Sequence, residues 1–396
     1  MNHKSALSLV ANTAVALLAL AIMAGEACIP VATPDPPCAD GAAVCTASPT
    51  GTAPNDVVLS TCGADEVAVV VDSGDANIDV FKVPSGDLLH SIHFDGGPGP
   101  WAIAIDAARG RGVVTLRELD ALAVVDVCGG KALSLATVTD AHKPQPIVFD
   151  GTRFVVGFTN VVQVSTSPAV PPVVDPGVVA SFTLGDDDKL TPVKSVTLPC
   201  KNPQGLLVDT TTPAGPHVWA SCSGPLGPDG AGRERATEDG ALARLDGADL
   251  AVGHVINAAR TAPGTPVVAA GTIYAGSIVT PTLLSAAVDG TDLSVALTFD
   301  GPAVDSVFKV LAWDSVTLLA PQFSQDALRV VHVDNAGALS VVDTVAVGPG
   351  GTAFHGLLTV DTRPGLGDVD AVGILTLSAE LVPLRLHTLA CCGGTP

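Results

Sequence analysis

Short runs of valine, alanine and leucine, each closed by glycine, proline, aspartate or asparagine, recur along most of this chain. Residues 67–72, 101–106, 122–127 and 179–184 are examples. Each run has the length and composition of one strand between turns. No window of about 12 residues has the apolar spacing of an amphipathic helix. We therefore predict an all-β chain from residue 57 onward.

The runs fall into groups of four that recur about every 45 residues, which is typical of a β-propeller. The first run of a group often follows a proline: Pro100, Pro146, Pro203 and Pro266. The groups lie near residues 57–99, 100–145, 146–202, 203–265, 266–306, 307–353 and 354–392. The last group is one strand short, and residues 57–61 are expected to complete it and close a ring of seven four-stranded blades. The alternative, a pair of β-sandwich domains, would not explain the regular groups of four.

The run after Pro100 also predicts which side chains share a face. Trp101, Ile103 and Ile105 alternate with Ala102 and Ala104. Since successive strand side chains point to opposite faces, the three large residues are expected on one face. The two alanines on the other face would let a neighbouring sheet pack closely.

The N-terminus has the features of a secretory signal peptide. A basic start with Lys4 is followed by an apolar stretch over residues 6–24, and Gly25 and Ala27 are small residues suited to a cut after Ala27. We predict that residues 1–27 are removed on export. Retention as a single membrane span is the alternative.

Cys28 directly follows the predicted cut, as in bacterial lipoproteins whose new N-terminal cysteine receives lipid. Glu26 and the residue before it depart from the usual lipoprotein motif, so lipid attachment at Cys28 and a free secreted form both stay open. Residues 28–56 are rich in proline and are predicted to be a semi-extended tether. The propeller is placed at 57–392. We expect an exported protein, anchored at the bacterial outer membrane or free in the periplasm or outside the cell.

The cysteine content fits an oxidising compartment. Setting Cys28 aside leaves eight disulfide candidates: Cys38, Cys45, Cys62, Cys128, Cys200, Cys222, Cys391 and Cys392. The expected pairings are a small loop, a link across adjacent strands and a tie between the chain ends: Cys38–Cys45, Cys200–Cys222, and Cys62 with Cys391 or Cys392. A redox or metal role for the last two cysteines is the alternative.

The net charge of −21, from 19 basic and 40 acidic side chains, limits the classes of partner. Nucleic acids and anionic lipids are both bound by neutralising phosphates, which an acidic protein cannot do well. We expect no nucleic-acid partner, and contact with a membrane only through an N-terminal lipid.

The segment 66–112 resembles the YVTN-type β-propeller repeat. The matching pieces are IDVF at 78–81, SGDLL at 85–89, SIHF at 91–94 and GPWAIAID at 99–106. The likeness is looser over 116–150 and 327–361, and residues 67–72 stand where the YVTN tetrapeptide would be. The resemblance implies a propeller from a mostly extracytoplasmic family of surface or binding modules, with lactonase-type and haem-carrying relatives. It implies no particular activity, because propellers host unrelated functions.

Two groups of residues were tested as metal or channel sites. Asp72, Asp75, Asn77 and Asp79 alternate like calcium ligands, but the segment lacks the glycine and the glutamate of the EF-hand pattern. A hairpin turn is the favoured interpretation, and a metal site is the alternative. Polar residues on first strands could also converge on the central channel, with these candidates: Asp106, Asp314 and His355. His90 and His93 are three apart on a strand, so they cannot share a metal.

The segments 168–176 and 224–232 are predicted to be long insertions, where binding residues often lie on a rigid scaffold. The second leads into the predicted binding loop: Arg233, Glu234, Arg235, Glu238 and Asp239. We found no nucleophile elbow, P-loop or dinucleotide motif. The sequence thus favours a non-enzymatic binding or scaffold module of the cell envelope without a cofactor. The alternatives are a lactonase-type enzyme, a carrier with a cofactor at the channel, and a surface-layer component.

Overall fold

The computed structural model describes residues 48–49, 53–83, 85–163, 173–211, 216–228, 234–301, 306–322 and 327–346, and the backbone of three further strands between 357 and 387. Apart from one short 3₁₀ turn at Arg117–Leu119, the regular elements of this part of the chain are β-strands. An all-β propeller with four-stranded blades is confirmed.

Each of six blades consists of four strands that follow one another along the chain. In two of the blades, an inserted hairpin separates the second strand from the third. Blade 1 contains β2 (Pro54–Cys62), β3 (Asp65–Asp72), β4 (Asn77–Lys82) and β5 (Leu88–His93), and blade 2 contains β6 (Pro100–Asp106), β7 (Arg111–Leu116), β8 (Ala121–Asp126) and β9 (Lys131–Thr137). Blade 3 contains β10 (Pro144–Phe149), β11 (Phe154–Phe158), β14 (Pro176–Leu184) and β15 (Leu190–Lys201), and blade 4 contains β16 (Pro203–Asp209), β17 (His217–Cys222), β20 (Gly240–Asp246) and β21 (Ala251–Ala258). Blade 5 contains β22 (Pro263–Ala269), β23 (Thr272–Ser277), β24 (Thr282–Ala287) and β25 (Ser294–Thr298), and blade 6 contains β26 (Leu311–Ala312), β27 (Thr317–Gln322), β28 (Ala327–Val333) and β29 (Leu339–Ala346).

A further four-stranded sheet, the terminal sheet, combines strands from both ends of the described chain. It consists of β1 (Ser48–Pro49), β30 (Leu357–Leu366), β31 (Val369–Thr376) and β32 (Glu380–His387). β30 contacts the first strands of blades 1 and 6. Lys309, two residues before β26, has its Nζ 3.9 Å from Asp56 Oδ1 of blade 1.

This arrangement corrects the predicted seven blades within residues 57–392 to six consecutive blades from Pro54 to Ala346. Residues 57–61, expected to complete the last group, belong to the first strand of blade 1. The strand that joins β32 is Ser48–Pro49, from within the predicted tether. Sequence pattern alone missed it, because a two-residue strand has no alternation to detect.

The inner strands of a blade pack their two faces against different neighbouring sheets. Val67, Val69 and Val71 of β3 belong to the apolar cluster between blades 1 and 2. Ala68 and Val70 of the same strand face the other way. Alternation along such a strand therefore fills two cores at once, and most positions in the second and third strands are buried.

The same backbone conformation, a residue of positive φ followed by proline, precedes five of the six blades. The residue before the first strand has a positive φ in each case: Ala53, Gly99, Lys143, Asn202 and Ala262. Each directly precedes the proline that begins that strand: Pro54, Pro100, Pro144, Pro203 and Pro263. A residue before proline avoids the right-handed helical region, and here it takes the left-handed one to reverse the chain between blades. First strands were predicted to follow Pro146 and Pro266, but they begin earlier, at Pro144 and Pro263.

A bulge follows the proline at the start of these first strands, and it changes the face of Trp101. The register of β6 shifts between Pro100 and Ile103. Ile103 and Ile105 share one face, as predicted, and this face packs towards blade 1, but Trp101 packs with Ala102 on the blade 3 side. The prediction for Trp101 was wrong because a bulge adds one residue and reverses the alternation before it.

The outermost strand of each of the six blades also carries a bulge. The register to the third strand skips one residue in every case: Leu89, Leu133, Val193, Gly253, Ala296 and Val342. Bulges on edge strands hinder pairing with another chain. The outer rim of the ring is therefore protected against edge-to-edge association.

Candidate functional site

The two faces of the ring carry different connections. Since the strands of a blade are antiparallel neighbours, first-to-second and third-to-fourth turns emerge on one face, here called the turn face. Second-to-third connections and the links between blades emerge on the other face. We call this second face the insert face, because two inserted hairpins lie there, in neighbouring blades 3 and 4: β12 (Val161–Gln163) with β13 (Val173–Val174), and β18 (Leu226–Pro228) with β19 (Glu234–Ala236).

A disulfide fixes the base of the inserted hairpin of blade 4. Cys200 at the end of β15 forms a disulfide with Cys222 at the end of β17, with a Cα–Cα distance of 5.9 Å. Both cysteines are buried. The predicted pairing of these two cysteines is confirmed, although they join adjacent blades rather than adjacent strands of one sheet. The bond ties blade 3 to the segment that leads into β18.

Polar contacts surround the same base. Asn202 Nδ2 donates to Ser223 Oγ at 2.9 Å and to the Gly224 carbonyl at 3.2 Å. Lys201 Nζ pairs with Glu238 at 2.9 Å on the far side of the hairpin. Gly224 has a φ of +71°, and a Cβ there would lie 2.8 Å from the Glu238 carbonyl oxygen. Only glycine at position 224 therefore lets the chain pass this close to the segment that returns from the hairpin.

An apolar contact fixes the hairpin to blade 5. Ala236 packs with Ala262 of the blade 4–5 link and Ile278 of blade 5, and Leu226 joins the cluster. Because Ala236 faces blade 5, alternation places Arg235 on the other side of β19, where it is exposed. The hairpin is thus held by a disulfide, hydrogen bonds, an ion pair and apolar packing.

The predicted binding loop falls on this hairpin. Arg235, Glu238 and Asp239 are exposed on the insert face, and Glu234 belongs to β19. Glu238 is engaged by Lys201, whereas Arg235 makes no ion pair with any residue that the structure describes. Arg233 lies outside the described residues.

The hairpin of blade 3 is braced by a polar chain. Asn160, with a φ of +50°, donates from Nδ2 to the Pro176 carbonyl at 2.9 Å, across the base of the hairpin. Its Oδ1 accepts from the His142 backbone N–H at 2.9 Å, and His142 Nδ1 lies 2.9 Å from Asp120 Oδ2. This chain of contacts links the hairpin to the loop of blade 2 that contains Leu119.

A stacked arginine lies beside that loop, and sequence reasoning missed it. The Arg117 guanidinium lies 5.1 Å from the Trp101 ring centroid and donates to Glu118 at 2.9 Å. Lys143 Nζ donates to the other oxygen of Glu118 at 2.8 Å, and this hydrogen bond, helped by the nearby charges of Lys143 and Arg117, lowers the pKa of Glu118. A cation over an indole face is a recurrent recognition element. This pair could not be predicted from the sequence, because it depends on the geometry of the turn that places Arg117 over Trp101.

The described metal candidates lie on the β3–β4 hairpin, and two of the channel candidates lie at turns. Asp72 and Asn77 flank the β3–β4 turn, Asn77 Oδ1 lies 2.8 Å from His93 Nδ1, and Asp79 is buried in β4. Asp106 and Asp314 accept backbone N–H groups of the turns that follow them, at 3.3 and 2.8 Å, on the turn face. Asp75 lies in the same β3–β4 turn.

Among the described residues, no three histidines, cysteines or carboxylates come together as metal ligands. In the same part of the chain, no helix has the length and hydropathy to cross a membrane. The remaining channel candidate, His355, lies outside the described residues.

The turn face carries the second disulfide. Cys62, at the end of β2, pairs with Cys128, after β8, with a Cα–Cα distance of 5.3 Å. The predicted partner for Cys62, at the C-terminus, was therefore wrong: blades 1 and 2 place Cys128 within bonding distance instead. Cys28, Cys38, Cys45, Cys391 and Cys392 lie outside the described residues.

Arginines join neighbouring blades on the turn face. Arg109 of blade 2 donates to the Leu184 and Gly185 carbonyls of blade 3, each at 2.7 Å. Arg153 of blade 3 donates to the Ala248 carbonyl of blade 4 at 2.6 Å. Contacts between blades thus occur on the turn face as well as on the insert face, and the inserted hairpins lie on the insert face alone among the described residues.

Comparisons with known proteins show the fold alone. No protein-family model matches the chain, and no curated protein matches it. A chain of the hydrazine synthase of Kuenenia stuttgartiensis is 11% identical, with a TM-score of 0.63 over 84% of this chain and 95% of that chain. A chain of a mitotic checkpoint complex is 12% identical, with a TM-score of 0.61 over 91% of this chain and 100% of that chain. The β-propeller domain of Cps50 (Swd1) from Myceliophteria thermophila is 11% identical, with a TM-score of 0.58 over 86% of this chain and 98% of that chain.

Proposed function

We propose that this protein is an exported binding module of the cell envelope, lipid-anchored at Cys28, that captures a protein or envelope partner through its insert face. The observation that carries the proposal is the braced hairpin of blade 4. A loop held by Cys200–Cys222 and by Lys201–Glu238 loses little conformational entropy when a partner binds. Rigid loops on a propeller ring are a common way to present binding residues.

Two features support the exported location. The disulfides Cys62–Cys128 and Cys200–Cys222 fit an oxidising compartment rather than a reducing one. The signal-like segment 1–27 and the position of Cys28 directly after it fit export and lipid attachment. The tether that follows Cys28 leads to β1, so an anchored protein would be held through the terminal sheet.

The location is tested by the intact mass of the protein from a bacterial envelope fraction. The expected mass lacks residues 1–27 and includes a diacylglyceryl and an acyl group on Cys28. A Cys28→Ala variant should be released from the membrane fraction. A full-length mass, or the same membrane retention for Cys28→Ala, would overturn the anchored form.

The binding face is tested by photo-crosslinking in the same envelope. A crosslinking amino acid is placed at Arg235 on the insert face, and in a control at Val295, which is 54% exposed on the outermost strand of blade 5. A discrete adduct from position 235, lost when the β18–β19 hairpin is replaced by a two-residue turn, is expected. Adducts from position 295 alone would show that the rim, not the insert face, meets the partner.

A further inference from the structure

Three exposed aliphatic side chains mark a second surface on the insert face. Leu119 of blade 2 is 41% exposed, and Val162 and Val173 of the blade 3 hairpin are 59% and 51% exposed. The other large exposed apolar residues of the described chain lie on outermost strands, one or two to a blade. The three residues here belong instead to segments joined through Asp120, His142 and Asn160. We call Leu119, Val162 and Val173 the aliphatic patch.

The hairpin that carries most of the patch has an unusual composition for this chain. Residues 154–174 contain no charged side chain, although the protein carries a net charge of −21. The connection 161–174 is rich in valine and proline. Val162 and Val173 of this hairpin expose apolar surface to water, and such surface commonly marks an interaction site.

The edges of the patch are charged. Asp175 directly follows β13, Asp140 lies two residues before His142, and both are exposed. Neither makes an ion pair with another residue that the structure describes. On the blade 2 side lie Arg117, stacked on Trp101, and Glu118. An apolar centre with a polar rim is the usual anatomy of a protein interface, and tryptophan and arginine are frequent among its strongest contributors.

We propose that the aliphatic patch binds a protein segment that presents apolar side chains flanked by lysine or arginine. This inference rests on the proposed binding function of the insert face and names the chemistry of the partner. The exposed Asp140 and Asp175 supply the charge complementarity at the rim. The net charge of −21 speeds the approach of a basic partner over a long range.

The same charges disfavour two other occupants. A second copy of this chain would bring the acidic rims of two patches together, and like charges across an interface are unfavourable. Membrane-surface helices and loops insert tryptophan, phenylalanine or leucine and surround them with basic residues. Here the three carboxylates of the rim, those of Glu118, Asp140 and Asp175, outnumber its single arginine, and residues 161–174 contain no aromatic side chain.

The experiment measures the binding of labelled peptides to the full chain by fluorescence anisotropy. The probe is a decapeptide that alternates lysine with valine, and its matched control carries glutamate in place of lysine. Only the lysine peptide is expected to bind. Val162→Ser and Val173→Ser should each weaken this binding about tenfold, the effect of losing one buried aliphatic side chain. Val295→Ser, which changes an equally exposed valine on the rim of blade 5, should not.

Further variants separate the rim and the two hairpins. Asp140→Asn with Asp175→Asn should weaken binding and reduce its dependence on salt, because these substitutions remove charge and keep the shape. Replacing the β18–β19 hairpin should leave peptide binding unchanged. If that replacement abolishes binding and Val162→Ser does not, the patch proposal is wrong while the proposed binding function stands.

Two other results would overturn the inference. If the lysine and glutamate peptides bind equally, or if neither binds, the proposal of a basic partner is wrong. Flotation of the protein with neutral phosphatidylcholine vesicles that is lost in Val162→Ser would assign the patch to a lipid surface instead.

Discussion

Cys200, on the outermost strand of blade 3, is bonded to Cys222, at the end of the second strand of blade 4, two residues before Gly224 begins the approach to the inserted hairpin. The bond therefore joins two units of the ring and supports a projecting element at the same time. Its counterpart, Cys62–Cys128, joins blades 1 and 2 on the turn face. Consecutive blades are thus linked by a disulfide on each face of the molecule.

Removing the first of these bonds should destabilise the fold and loosen the hairpin. We expect Cys200→Ala with Cys222→Ala to lower the free energy of unfolding by about 3 kcal/mol, the typical effect of losing a native disulfide. Hydrogen exchange of the amides of β18 and β19 should become faster. The matched variant Cys62→Ala with Cys128→Ala should destabilise the protein without changing exchange in that hairpin. Equal effects on the hairpin from both variants would contradict its assignment to the Cys200–Cys222 brace.

Arg153 and Asp150 should behave as a coupled pair. Their side chains are 13% and 6% exposed, and Arg153 also donates to blade 4 through the Ala248 carbonyl. Arg153→Met should cost about 3 kcal/mol, because it leaves a buried carboxylate without its partner. Adding Asp150→Asn should recover part of this loss in denaturant unfolding. Strict additivity of the two substitutions would argue against the pair.

Tyr274 should titrate only at unusually high pH. It is the single tyrosine of the chain and is 1% exposed. Burial raises its pKa above the usual value, and a hydrogen bond with Thr272 opposes this in part. A raised pKa in the folded state means that the stabilising contribution is complete below the unfolded value of about 10 and is lost as the pH rises above it.

Near-ultraviolet absorbance of the phenolate follows this residue alone. We expect little signal until the fold opens in alkali, and an ordinary titration in guanidinium chloride. A native-state titration at the ordinary value would show that Tyr274 is not buried between blades 5 and 6.

The pKa of Glu118 should be shifted in the opposite direction to that of Tyr274. Its hydrogen bond and ion pair with Lys143 lower its pKa. A lowered pKa in the folded state adds stability above the unfolded value, and this stability is lost as the pH falls through the folded value. In carboxyl NMR titrations, Lys143→Met should raise the pKa of Glu118 towards normal, and added salt should do so more weakly. No change in Lys143→Met would show that the pair does not form in solution.

Features of this fold that depend on residues close together in the sequence could be predicted, and features that depend on contacts between distant residues could not. Strand runs such as 67–72 and the propeller class follow from local composition and were predicted correctly. The binding loop was placed on an insertion, because turn-rich stretches between strands are visible in the sequence. The face of Trp101 was mispredicted, because a bulge is set by packing between blades rather than by residue type. The partner of Cys62 was mispredicted, because it depends on which turns meet in space.

The sequence by itself determined that this chain forms short strands, that they group in fours, and that its cysteines suit an oxidising compartment. These properties depend on residue type and on spacing along the chain. Only the tertiary structure decided that Ser48–Pro49 pairs with β32, that Cys62 meets Cys128, and that the two inserted hairpins stand side by side on one face. Each of these depends on contacts between residues far apart in sequence, and such contacts are selected by the closure of the ring rather than by local preference.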